Sequence, residues 1–194
     1  RSKAYINKCN QIIGAKRAKN EGYRSRAVFK LQEILKKIKL KKVTNVLDLG
    51  SAPGGWSQLI IKNYPNSKVF AIDILDMEKI DGVDFFQISI EKIEEIEEID
   101  LLKGKINLVI SDIAPNLTGI TAVDCENVLD LNHLTINTAH KFLEKGGTLV
   151  MKTFQNNNLK SLRKNMELSF KLVQTYKPDA SKKQSGEIYL YGVK

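Results

Sequence analysis

The sequence predicts an α/β domain, with a largely parallel sheet and helices on both faces. Three observations predict it. Short apolar runs alternate with segments of helical periodicity; one run ends in Asp48-Leu49-Gly50 and continues into the turn Ser51-Ala52-Pro53-Gly54-Gly55; a later run ends at Asp112. Parallel neighbours need a crossover, and a helix is its usual form, so strands that alternate with helices assemble this way.

In chain order, Ala27, Val28, Leu31, Ile34, Leu35 and Ile38 recur at helical spacing and predict an amphipathic helix over 25–38, with Lys30, Lys36 and Lys37 on its other face. Residues 43–49 read as a buried strand. The glycine-rich turn follows, then a helix from Trp56 to about Asn63. Residues 69–72 form a second strand ending at Asp73, 85–90 a third, and 106–110 a fourth ending at Asp112. Ile93, Ile96 and Ile99 within the acidic run 91–100 suggest a helix with a solvated acidic face. A long helix over about 123–143 leads through Gly146-Gly147 into a strand over 148–152. A helix over 159–170 precedes strands near 171–176 and 187–191, which brings the sheet to seven. Nothing divides the chain, so 1–194 is expected to be one domain with a basic N-terminal arm and helix over about 1–42.

Of the 194 residues, 42% are hydrophobic, enough for a core and against disorder as the general state. No run approaches the roughly 18 apolar residues of a membrane span and no secretory core is visible, so a soluble intracellular protein is expected. Cys9, Cys125, His133 and His140 are too few and too scattered for a zinc site, so no metal is expected. The net charge of +9 is unevenly placed: residues 1–42 carry 14 Lys and Arg against Glu21 and Glu33. A basic extension on a near-neutral body suits a polyanion, because each neutralised phosphate releases counterions. With 26 Lys against 5 Arg, backbone and shape recognition fits better than base reading. Tyr5, Tyr23 and Phe29, interleaved with Arg24, Arg26 and Lys30, offer stacking surfaces or anchors to the body.

The glycine turn lies where open α/β sheets bind nucleotides. A triphosphate loop would have lysine where Trp56 stands, and a dinucleotide fingerprint would have glycine where Ala52 stands. S-adenosylmethionine, a nucleoside without phosphates, is the third candidate, beside a disfavoured dinucleotide and a tight turn that holds no ligand. Asp73, 23 residues beyond Gly50, suits its ribose hydroxyls, close to the spacing of about 20 usual for such carboxylates.

Whole motifs carry the reading further. The segments Tyr23-Arg24-Ser25-Arg26-Ala27-Val28-Phe29-Lys30-Leu31, Asp48 to Gln58, Ser111-Asp112-Ile113-Ala114-Pro115-Asn116, and Gly146-Gly147 leading to Lys152 resemble the FtsJ/RrmJ family of ribose 2′-O-methyltransferases. So do Lys177-Pro178-Asp179-Ala180-Ser181 and Ser185-Gly186-Glu187-Ile188-Tyr189. The resemblance covers nearly the whole chain. It implies a Rossmann-like, S-adenosylmethionine-dependent methyltransferase fold and a catalytic tetrad at Lys30, Asp112, Lys152 and Glu187. It also implies cofactor contacts at Gly50, Ser51, Pro53, Gly54, Gly55, Trp56, Asp73, Ser89 and Asp112, and RNA contacts at Arg24, Arg26 and Lys30. Ser89 departs from the pattern: relatives place there an acidic residue against the adenine amino group, and a hydroxyl accepts that hydrogen bond without charge.

Methyl transfer from a sulfonium asks the protein for in-line positioning and removal of a proton from a weak hydroxyl nucleophile. Lys152 is the candidate base. A nearby cation such as Lys30 favours its neutral amine, Asp112 orients it, and Lys30 with Glu187 positions the ribose hydroxyl. Amino-group methylation would call for paired prolines and an aromatic residue after Asp112, and cytosine C5 methylation for a cysteine after proline; the chain has neither. Ribose hydroxyl methylation remains, and the resemblance of Asp48 to Gly55 and of the compact length to the large-subunit branch of the family implies a uridine in large-subunit ribosomal RNA, met free or in the assembled subunit by a monomeric enzyme. A transfer-RNA ribose methyltransferase and a non-catalytic RNA-binding assembly module are the alternatives. The compartment, whether mitochondrial, nuclear or cytoplasmic, stays open.

Overall fold

Seven strands lie in the order β3-β2-β1-β4-β5-β7-β6. They are β1 (Asn45–Leu49), β2 (Lys68–Asp73), β3 (Val83–Gln87), β4 (Ile106–Ser111), β5 (Leu143–Phe154), β6 (Leu172–Tyr176) and β7 (Glu187–Val193). The helices are α1 (Lys3–Asn20), α2 (Val28–Ile38), α3 (Gly55–Asn63), α4 (Glu97–Asp100), α5 (Thr121–Phe142) and α6 (Leu159–Met166). These assignments come from a computed structural model that describes residues 3–40, 43–116, 118–181 and 185–194. Arg1, Ser2, Lys41 and Lys42 of the basic segment lie outside the described residues, as does the side chain of Tyr5.

Strands β1 to β5 pair in parallel and β7 runs antiparallel between β5 and β6, as expected of a mostly parallel sheet. Central strands of a sheet covered on both faces carry continuous apolar runs, and β4 is buried along its whole length. One core cluster holds Val46, Val69, Leu108 and Ile110 with Leu31, Ile34 and Leu35 of α2. The other holds Leu47, Leu49, Phe70 and Val109 with Ile136 and Phe142 of α5. Successive side chains of each strand thus serve opposite faces.

Four expectations change. The N-terminal arm is an 18-residue helix, tied to the body by buried Ala18 and by Arg17, whose guanidinium lies 4.1 Å from the Phe29 ring centroid. The acidic run forms a 3-10 helix, Ile90–Glu95, followed by short α4. Its isoleucines at 90, 93, 96 and 99 repeat every three residues, which is the 3-10 period rather than 3.6. Strand β5 begins at Leu143 and passes through Gly146-Gly147, where the register against β4 shifts: Ile106 faces Leu143 while Leu108 faces Thr148. The extra residues bulge out and Gly146 takes φ 84°. Finally, α6 ends at Met166 instead of running to Phe170, with Phe170 buried beyond it.

The order of strands reverses between β1 and β4. Their carboxyl ends open into a crevice, the place where open α/β sheets bind ligands.

Candidate active site

The loop after β1 and the loop after β4 form the walls of this crevice. Gly50 takes φ 76°, and the N–H groups of Gly50 and Ser51 donate to the Ile72 carbonyl at 2.8 and 3.1 Å. The loop therefore folds over the end of β2. There Asp73 accepts the Ala52 N–H at 2.8 Å and the Leu75 N–H at 2.9 Å. A cavity of about 620 Å³ opens alongside, lined by Gly50, Ala52, Asp73, Ser89, Glu91 and Asp112 among others. Its apolar walls include Ile74 and Leu75, both largely exposed, with Ile88, Ile113, Pro115 and Leu131. Exposed apolar side chains around a concave site suit a flat apolar ligand.

A nucleoside with an amino-acid tail fits these residues. The Asp73 carboxylate serves ribose hydroxyls and the apolar walls serve a base. A second cavity of about 40 Å³ continues beneath the loop, lined by Asp48, Ser51, Pro53, Gly55, Trp56 and Asp112. The buried Ser51 Oγ has no hydrogen-bond partner among the described residues, and such a group calls for one. At the other end, the Ser89 hydroxyl donates to Glu91 Oε2 at 3.3 Å. Glu91, two residues on, lines the same cavity.

The four tetrad positions come from four elements and meet. Lys30 of α2 pairs with Glu187 Oε1 of β7 at 2.6 Å, and Lys152 of β5 pairs with Asp112 Oδ1 after β4 at 3.2 Å. Lys152 also donates to the Asp112 main-chain carbonyl. All four side chains are at least three-quarters buried. Tyr189, fully buried on β7, links the pairs: its hydroxyl lies 3.0 Å from Asp112 Oδ1 and 3.2 Å from Glu187 Oε1, so one phenolic proton serves two carboxylates. Burial, then the charges of Asp112 and Glu187, hold that phenol far above its ordinary range. Burial also pushes the Glu187 carboxyl up, but the hydrogen bond and charge of Lys30, the charge of Lys152 and the Tyr189 hydroxyl outweigh it and hold the group below its usual value. Two cations and two anions around a neutral phenol make a mostly buried cluster beside the cavity, to which Asp112 belongs as well.

Comparison with known proteins decides what the crevice belongs to. Residues 23–194 match the model of the FtsJ-like methyltransferase family. The chain belongs to that family. It is 38% identical over 195 residues to a protein of Dechloromonas aromatica named Ribosomal RNA large subunit methyltransferase E, covering 98% of this chain and 95% of that one. It is 41% identical over 198 residues to a Coxiella burnetii protein of the same name, covering 97% and 93%. A crystal structure from Plasmodium falciparum, described as a ribosomal RNA methyltransferase, superposes with a TM-score of 0.76 at 32% identity, covering 88% of this chain and 97% of that one. The Methanococcus jannaschii fibrillarin structure shares the fold, with a TM-score of 0.54 at 16% identity over 79% of this chain and 67% of that one.

Within this FtsJ-like methyltransferase, several expected contacts take a different place. Gly54 faces away from both cavities: a Cβ built on it would meet Ile80 at 2.6 Å and Met77 at 2.9 Å, so its φ of 107° serves the turn into α3 rather than a ligand. Arg24 spends its guanidinium on the carbonyls of Pro53, Glu78 and Lys79, bracing the glycine loop from outside. Trp56 is buried under α2, with its indole N–H on the Ala27 carbonyl at 3.0 Å and its ring 5.9 Å from that of Tyr189. It reaches the cofactor region only through the small cavity. Arg26 is half-buried near Gly14 of α1. Glu91, which lines the cavity, and Tyr189, which joins the ion pairs, were not singled out as site residues from the sequence. The motif around Glu187 contains Tyr189, and only the alternation of β7 shows that the two share a face. Among the described residues no metal-ligand cluster occurs, and no helix is long and apolar enough to cross a membrane.

Asp48 of β1 is fully buried, accepts the Ser57 hydroxyl at 2.6 Å, and titrates at about 7. Burial raises it most; the Ser57 bond opposes this, and the charges of Asp112 and Asp73 add to it. Its proton is bound more tightly folded than unfolded, so this contribution is whole below pH 4, is lost as pH rises, and is gone above about 7. Asp48→Asn should therefore stabilise the methyltransferase at pH 8 by roughly 3 kcal/mol relative to the unaltered chain and by little at pH 4. Thermal melts at the two pH values check it; equal shifts at both would contradict it.

Proposed function

We propose that the chain moves a methyl group from S-adenosylmethionine to a ribose 2′-hydroxyl of large-subunit ribosomal RNA. The observation that carries this reading is the pair of ion pairs, Lys30–Glu187 and Lys152–Asp112, joined through Tyr189 beside the cavity that Asp112 also lines. The near full-length match to relatives named for that RNA supports the choice of substrate.

Gly50, Asp73 and Asp112 would hold the donor, Ser89 and Glu91 its adenine edge, and Ser51 its amino-acid tail. When bound, it supplies an electrophilic methyl group on a sulfonium. The chain's own residues do the rest. Lys152 takes the hydroxyl proton, and Asp112 fixes its direction through two acceptors. Glu187, held by Lys30, places the hydroxyl. The exposed lysines of α1 and α2 would lie along the RNA backbone, where charge rather than base identity governs affinity.

Incubation with labelled donor and, in separate reactions, each ribosomal subunit and transfer RNA tests the reading. Label should appear in large-subunit RNA on a ribose oxygen, with mapping to show whether the nucleoside is a uridine. Label on a base, in transfer RNA alone, or nowhere would overturn it. For the donor site, Glu91→Ala should weaken S-adenosylhomocysteine binding about tenfold and erase the preference for adenine over hypoxanthine, measured by calorimetry with both nucleosides. An unchanged preference would remove Glu91 from the site.

A further inference from the structure

Helix α2 gives the reaction centre more than Lys30. Lys30, Glu33 and Lys37 share one helical face; Glu33 grips the β6–β7 connection, and Lys30 and Lys37 hold the strand ends on either side of it. Lys30 pairs with Glu187. The Glu33 carboxylate accepts the Asp179 N–H at 2.7 Å and the Ala180 N–H at 2.9 Å, and the Lys37 ammonium lies 4.5 Å from the Tyr176 ring centroid. The turn held in this way is closed by the Ser181 N–H on the Pro178 carbonyl at 3.0 Å. It ends on Ser181, itself 6% exposed, whose hydroxyl donates to Glu187 Oε1 at 3.2 Å.

That oxygen is crowded. Lys30, Ser181 and Tyr189 all donate to Oε1, and among the described residues no hydrogen bond reaches Oε2. The last torsion of a glutamate is soft and roughly two-fold, so one donor would leave the carboxylate free to turn. Three donors from different elements do not.

Resting on the methyl-transfer reading above, we propose that Ser181, set in place by Glu33, is a positioning residue for the reaction. It locks the Glu187 carboxylate with Oε1 turned to the protein, which leaves Oε2 to receive the incoming hydroxyl. Nothing here requires Ser181 to touch substrate.

Ser181→Ala should lower kcat about tenfold while the Kd for S-adenosylhomocysteine stays within twofold, and Ser181→Thr, which keeps the hydroxyl, should restore most of the rate. Glu33→Gln should act in the same direction, because an amide satisfies only one of the two N–H groups. Glu187 faces Lys30 from α2, Lys152 from β5, Tyr189 from its own strand and Asp112 beyond β4. Losing a donor to its charged form raises its pKa, so the acid limb of kcat should move to higher pH in Ser181→Ala. A 13C titration of the Glu187 carboxyl reads the same contact without turnover. An unaltered chain that methylates no RNA defeats the proposed function; an unmoved Glu187 titration in Ser181→Ala defeats this inference, as does donor affinity falling in step with kcat.

Discussion

Replacing Lys152 with alanine is expected to lower methyl transfer at least a thousandfold and to leave S-adenosylhomocysteine affinity within about twofold. A positioned base contributes roughly 10²- to 10⁴-fold, and here the same side chain also fixes Asp112. Removing it leaves the Asp112 carboxylate with the Tyr189 hydroxyl as its hydrogen-bonding partner in a cluster that is mostly buried. The proposed donor cavity is built by the loops after β1, β2, β3 and β4 and by α5, and Lys152 lies on β5 outside it, which is why binding should survive. Lys152→Arg separates two meanings of the result. A guanidinium keeps the charge and hydrogen bonds but does not give up a proton near neutral pH, so a base role predicts a rate as low as alanine's. A role in charge alone predicts substantial recovery. Single-turnover rates with saturating donor decide between them, and turnover above about a tenth of the unaltered rate in either variant would exclude Lys152 as the base.

The parts of this site that a sequence reveals are those fixed by local chemistry. Gly50 and Asp73 announce themselves because a tight turn after an apolar run and a carboxylate one strand later are short-range patterns. The tetrad is different. Lys30, Asp112, Lys152 and Glu187 are separated by up to 157 positions, and no periodicity unites them; the motifs locate them, while only strand order brings β4, β5 and β7 side by side. Tyr189 became readable once β7 was paired and its alternation known. Packing shows what charge alone does not. Arg24 lies in a basic stretch, yet its guanidinium is a brace for backbone carbonyls, and the N-terminal arm is a helix because Ala18 and Arg17 find partners on the body. Such contacts depend on tertiary neighbours that composition does not encode. The hydrogen bond from Ser89 to Glu91, across two residues at the start of a 3-10 helix, could be seen only after that turn was known.

Gly50→Ala should abolish donor binding at micromolar concentrations, with Kd raised at least thirtyfold, and lower the melting temperature by about 5–10 °C. Two costs combine. A non-glycine residue at φ 76° costs roughly 1–2 kcal/mol. The added Cβ would lie 2.6 Å from Ile113 Cβ and 3.1 Å from its Cα, so backbone as well as side chain must retreat. Ile113 follows Asp112 directly and lines the same cavity. Its retreat changes the width of the crevice and drags on the acceptor that holds Lys152. At about 2–4 °C per kcal/mol for a chain of this size, the combined strain gives the expected shift. Gly104→Ala isolates the first cost: that residue has φ 70° and nothing within 4 Å of its Cβ position. It should lose stability of the same order from backbone strain alone and bind S-adenosylhomocysteine normally. Calorimetry on both variants separates conformational strain from the loss of close approach. If Gly50→Ala binds as Gly104→Ala does, the narrow passage between the β1 and β4 loops is not where the donor lies.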